Sequence, residues 1–215
     1  MYTVTPMPIV EKIGLSILFG MVPILACFIA GWWISIPLVP ESWVPFFALG
    51  GLLSGVVVDV IFLKGWIRQA YSIRPWVWKS IYGFYAVGMF GFFMGVPVFH
   101  VLLGIPAGLV VGGWLAHTGA DSAAMKKISQ RSATFTTSVM GLICIASAVI
   151  ALTNRSTASE VQHMLGLGFT ITPLMLLGII LIGGTTLLVI QWWLTVLSVK
   201  WTYRYFFANT VLPHR

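Results

Sequence analysis

The sequence predicts an all-α, polytopic integral membrane protein with six transmembrane helices and both termini in the cytoplasm. Three observations predict it. Of 215 residues, 59% are hydrophobic and 8% charged, against about 25% charged in soluble domains. The apolar residues form runs of roughly 20, the length a helix needs to cross about 30 Å of hydrocarbon. The basic residues fall between alternate runs. Each run is read as helical, because lipid leaves backbone groups no other partner, and residues 1–215 are read as a single transmembrane domain.

The first span, 13–34, follows Lys12 and contains Pro23, which has no N–H to offer the carbonyl one turn earlier. The second, 43–63, holds GGLLSGVVVDVIF, in which Gly51, Gly55 and Asp59 recur every four residues along one helix face. The third, 80–96, follows RPWVWK, where Pro75 suits a first helical turn, and carries Gly91 and Gly95. Only the Gly95-Val96-Pro97 turn separates it from the fourth, 98–116, which carries Pro106 and the stripe Gly104, Gly108, Gly112. The fifth, 132–152, belongs to a helix that starts further out, with Asp121 or Ser122 as N-cap. Before the sixth, 171–199, Thr157-Ala158-Ser159-Glu160 has capping-box spacing and predicts a short surface or re-entrant helix. Asn154-Arg155-Ser156 matches a glycosylation acceptor beside it.

Orientation follows from charge. Lys12; Lys64, Arg68, Arg74 and Lys79; Lys126, Lys127 and Arg131; and Lys200, Arg204 and Arg215 all lie on one side of a six-span chain, with Arg155 alone opposite. The positive-inside rule puts that side in the cytoplasm. Tryptophan marks the same boundaries, with Trp32, Trp33 and Trp43 outside and Trp66, Trp76, Trp78, Trp114, Trp192, Trp193 and Trp201 inside. The net charge of +7 is spread among these loops rather than gathered in one domain or tail, so the expected partner is a lipid bilayer and not nucleic acid.

Asp59 interrupts an apolar run. It costs about 2.5–3.5 kcal/mol at a helix centre, which a dozen or so neighbours contributing about 0.3–0.6 each can offset. The carboxyl is expected to face protein, with Lys79, Tyr82, His117 and Arg131 at comparable depth as candidate neighbours in a substrate or proton path. The glycine stripes predict that helices two, three and four form a tight core. Pro23 and Pro106 predict kinks in the first helix of each three-helix half, an arrangement that in inverted repeats points to a central site.

Cys27 and Cys144 lie inside apolar runs without companions at ligand spacing, and no span offers paired histidines, so no metal and no cofactor is expected. HExxH, the Walker phosphate loop and GxSxG are all missing. The function expected first is transport or membrane-embedded solute binding, as a small permease or an importer's membrane subunit. An accessory or assembly subunit comes second and an intramembrane enzyme third. Expected partners are a small-molecule ligand, a membrane protein or a second copy of the chain, and the expected location is the cell membrane.

Overall fold

A computed structural model of the chain describes residues 7–154, 157, 160, 162, 166 and 172–211, among which the regular structure is helical and no strand occurs. The α-helices whose bounds lie among the described residues are α1 Ile9–Ser35, α2 Val44–Arg68, α3 Pro75–Phe92, α4 Gly104–His117, α5 Ser122–Thr153 and α6 Pro173–Val211. Short 3₁₀ turns at Glu41–Trp43, Ala70–Ser72 and Val98–Leu103 precede α2, α3 and α4. The expected outer capping box, Arg155, His163 and the termini lie wholly or partly outside the described residues.

Among the described residues five segments are long and apolar enough to cross a membrane: Ile9–Ser35, Glu41–Arg68, Val98–His117, Ser122–Thr153 and Leu174–Phe207. Helix α3 has 18 residues, about 27 Å at 1.5 Å per residue. Its Pro75, Lys79, tryptophans and tyrosines make it less apolar than the rest.

Most helices outrun the apolar runs that announced them, because hydrophobicity marks only the part suited to hydrocarbon. Thus α2 continues to Arg68, α5 begins at Ser122 and α6 reaches Val211. The start of α5 is fixed by Asp121, whose side chain accepts from the Ala124 N–H at 2.8 Å. The third and fourth spans differ more. Helix α3 stops at Phe92, short of 96, and the first part of the fourth span is 3₁₀ before the α-helix starts at Gly104.

Two helix ends use the same device. After α4, Gly119 has φ 63°, its N–H donates to Ala116 O, and the Ala120 N–H donates to Leu115 O. After α3, the Met94 N–H donates to Gly91 O and the Gly95 N–H to Phe90 O at 2.8 Å, but the left-handed position is held by Met94, φ 52°. Both are Schellman closures; the second places a non-glycine, Met94, in the left-handed region ahead of Gly95, φ 83°.

The proline expectations divide. Helix α1 runs unbroken through Pro23. Pro106 is the third residue of α4, where an N–H would have no intrahelical partner anyway, so it opens this helix instead of breaking it. The two prolines therefore occupy different helical positions.

Contacts cluster in two units, residues 1–81 and 82–215. In the first, α1 and α2 pack antiparallel with almost no side chain between them. A Cβ at Gly31 would come within 2.5 Å of Phe47 O, one at Gly55 within 2.6 Å of Pro23 O, and one at Gly51 would collide with Cys27 O. At the hairpin's other end Phe19 packs on Trp66 and Trp78, ring centroids 6.4 and 4.8 Å apart.

In the second unit α4 runs parallel to α6. Gly104 faces Thr195, Gly108 faces Ser198 and Val199, and Gly112 faces Val199, Thr202 and Tyr203. Helix α5 is antiparallel to α6, with Thr136 beside Thr195 and Gly141 beside Leu188. Tyr82 and Ala86 of α3 pack with Leu103 against Ala107, Phe135 and Val139. The expected core of helices two, three and four was drawn from the glycine faces, and these pairings show what those faces meet. The glycine face of α2 is taken by α1 and that of α4 by α6. Gly91 has open space where a Cβ would be, and Gly95 lies in the turn, so that pair forms no packing stripe.

Two stability outcomes follow. Met94→Gly should raise stability by about 1 kcal/mol, since the left-handed conformation costs an L-residue roughly 1–2 kcal/mol. Gly55→Ala should lower it by about 1–3 kcal/mol through overpacking against backbone, whereas Gly50→Ala, which meets nothing within 4 Å, should not. Thermal unfolding in detergent measures all three.

Candidate functional site

Polar side chains buried within the apolar helices form the candidate sites, one group in each unit. In the second unit Gln191 and Thr195 of α6 and Thr136 of α5 are buried almost completely, and Tyr82 of α3 nearly so. The Gln191 amide Nε2 donates to the Tyr82 hydroxyl at 3.2 Å. One turn along α6, Thr195 Oγ1 donates to Gln191 O at 2.9 Å and lies 2.9 Å from Thr136 Oγ1, which is also 3.1 Å from Ala133 O. Two hydroxyl hydrogens serve three contacts there, so one contact is always unmade. Gly104 leaves the room, since its Cβ would come within 3.0 Å of Thr195 Oγ1 and 3.4 Å of Gln191 Nε2.

Four acceptor or hydroxyl atoms in this unit have no hydrogen-bond partner among the described residues: Gln191 Oε1, Ser129 Oγ, Thr137 Oγ1 and His100 Nδ1. Near the 3₁₀ turn before α4, buried His100 places Nε2 2.9 Å from Ala86 O. A carbonyl can only accept, so Nε2 carries the hydrogen and Nδ1 is a bare acceptor.

In the first unit, Asp59 is 8% exposed and lies against Gly20 of α1, where a Cβ would come within 3.2 Å of Asp59 Oδ2. Asp59 Oδ1 has no hydrogen-bond partner among the described residues. At the end of the hairpin, fully buried Glu11 accepts from the Tyr71 hydroxyl, and Trp78 Nε1 donates to Ala70 O at 3.2 Å. The turn between α2 and α3 is thereby tied to the first turn of α1. Burial, and then the Glu11 carboxylate, hold the Tyr71 phenol well above its ordinary range.

Of the sequence-derived residues, Asp59 and Lys79 belong to the first unit and Tyr82, His117 and Arg131 to the second. Asp59 does face protein, but the surface it meets is α1. Lys79 lies exposed on α3, Arg131 exposed on α5, and His117 half-buried at the end of α4. Tyr82 joins a buried polar group through Gln191. Gln191, Thr195, Glu11 and Tyr71 were not singled out by the sequence. A lone amide inside IIGGTTLLVIQWWLTVL was the available signal for Gln191, because an intramembrane polar side chain needs a partner.

Among the described residues no three His, Cys, Asp or Glu side chains are grouped to hold a metal ion. The chain matches no family model, no curated protein and no solved structure. The class that the helices themselves define is a multi-pass helical membrane protein.

The Glu11–Tyr71 bond yields a pH dependence. A phenol whose folded value lies above its unfolded 10.0 contributes stability that is complete below pH 10 and lost as pH rises further. Wild type should therefore lose stability above about pH 10 more steeply than Tyr71→Phe. The variant should itself be destabilised by about 1.5–3 kcal/mol at neutral pH, the usual worth of a hydrogen bond to a charged group. Thermal melts across alkaline pH check both.

Proposed function

We propose that the protein binds a polar solute inside the membrane, as a small permease or as the solute-binding membrane subunit of an importer. On this reading it crosses the cell membrane six times, with α3 as the third crossing and both termini on the cation-rich cytoplasmic side. The observation that carries the proposal is Gln191: a fully buried amide among apolar residues, hydrogen-bonded through Nε2 to Tyr82, with Oε1 unengaged among the described residues.

A buried acceptor left unmatched costs about 1–3 kcal/mol, and a sequence selected for packing alone would be better served there by leucine. A ligand donor bonded to Oε1 removes that cost. The Tyr82 hydroxyl, which accepts from Gln191, still has its own hydrogen to donate. Together they present one acceptor and one donor, suited to an uncharged hydroxyl- or amide-bearing solute.

One observation favours a second reading, the accessory subunit. Gly178, Gly183 and Gly184 of α6 have nothing within 4 Å of a Cβ position, and small residues without a neighbour let another helix approach closely.

Native mass spectrometry of gently purified protein separates the two. A small molecule retained by wild type and lost in Gln191→Leu, with unchanged thermal stability, supports solute binding. A stoichiometric protein companion without a small molecule supports the accessory role and sinks the first reading. For topology, cysteines introduced at positions 126 and 155 should label from opposite sides of the membrane.

A further inference from the structure

We propose that Asp59 is a proton-exchanging carboxyl, taking up and releasing a proton inside the α1–α2 hairpin. The argument begins with a donor that is missing. Pro23 has no N–H, so the carbonyl of Phe19, four residues earlier, loses its helical donor. Phe19 immediately precedes Gly20, the residue against which the Asp59 carboxyl lies. The same place therefore holds a backbone acceptor without its helical donor and a carboxyl whose Oδ1 has no hydrogen-bond partner among the described residues. Both are acceptors, and no donor among the described residues is bonded to Asp59 Oδ1.

A proton on Asp59 supplies one. The carboxyl then has an O–H to donate and the charge is gone, whereas an ionised, unpartnered carboxylate in hydrocarbon is strongly disfavoured. A metal cation fits less well, since hard cations gather several oxygen ligands and one carboxylate with one carbonyl is a poor set. On α3, whose Trp78 packs on Phe19, the neighbouring Lys79 is exposed. On α1 the residues level with Asp59 are Phe19, Gly20 and Pro23, none of which titrates. Lys12 and Glu11 lie eight or more residues further along α1, and Cys27 faces Gly51 two turns away. On α2 itself, Lys64 is exposed and five positions removed. Beyond the helix, Glu41 stands in the 3₁₀ turn at the opposite end.

The packing explains how the carboxyl is tolerated. Gly20 is the α1 counterpart of the α2 glycines: it leaves space for a carboxyl where a side chain would exclude it. The proton is drawn from water and returned to water, so no other reactant is required. The inference is independent of the solute reading, because Gln191 belongs to the other unit.

The test is infrared difference spectroscopy of the full chain in lipid bilayers, between acid and alkaline medium. A protonated-carboxyl band that shifts in deuterated water, disappears at high pH and is absent from Asp59→Asn is expected. No such band, or one unchanged across the whole pH range, overturns the proposal, the latter because the proton would then be a fixed structural one. Should Asp59→Asn fail to fold, wild type alone decides through dicyclohexylcarbodiimide, which modifies protonated carboxyls in apolar surroundings. An adduct mapped to Asp59, its rate falling several-fold as pH rises, is expected. Adducts confined to Glu11, Glu41, Asp121 or Glu160 overturn the assignment. Retained solute in a variant that lacks the band leaves the Gln191 reading standing.

Discussion

Hydrocarbon offers no hydrogen bonds, and this one constraint orders the molecule. Every polar group placed within the helices must be answered by the chain itself. Most hydroxyls meet the demand locally by bonding the carbonyl three or four residues back, as do Ser16 to Lys12, Ser54 to Gly50, Thr134 to Gln130, Thr185 to Leu181 and Thr186 to Ile182. Such residues need no neighbour and can face lipid. Gln191, Asp59 and Glu11 cannot be served in this way. Each sits at a helix contact, and that is where the structure becomes specific.

The contacts themselves are made by glycine. Between lipid-soluble helices no hydrophobic driving force operates, so association rests on close van der Waals approach and a few hydrogen bonds. Opposing Gly31, Gly51 and Gly55 with backbone atoms brings α1 and α2 near enough for dense dispersion contact, and Gly104, Gly108 and Gly112 do the same for α4 and α6. Close approach also restricts where a polar side chain fits. Asp59 finds room at Gly20, and the Gln191–Thr195 pair at Gly104. Packing and polarity are thus set by the same few small residues.

How much of this was legible differs by level. Helical class and the approximate spans were readable because hydrophobic length is a local property. The cap at Asp121 and the first-turn proline at Pro75 were readable for the same reason, each being a choice of one or two residues. Partner choice was not. The stripe Gly51, Gly55, Asp59 announces a packing face, yet nothing in it says that the opposing surface is α1 and not α3 or α4. Sequential helices joined by a short turn pack most readily, and weighting that would have favoured α1. The α4–α6 pairing is less accessible still, since it joins parallel helices across the whole of α5. Gln191 escaped notice because a single amide barely changes the hydropathy of a long apolar run, although its consequence for the interior is larger than that of any exposed lysine.

The two units meet the common constraint by different means. The α3–α6 unit spends its polar groups on one another, so that Tyr82, Gln191, Thr195 and Thr136 form a connected set with a small remainder at Oε1. Its chemistry is neutral, and a neutral network with one open acceptor discriminates by hydrogen-bond pattern without the penalty of burying charge. The α1–α2 hairpin instead carries two carboxyls on a single helix contact. Glu11 is tied to a phenol at the end of the hairpin, while Asp59 lies against Gly20 with Oδ1 unpartnered among the described residues. A carboxyl in that setting has one economical response to its surroundings, which is to change its charge. The difference between an amide that keeps its state and a carboxyl that can change it follows from the residues each helix pair brings together.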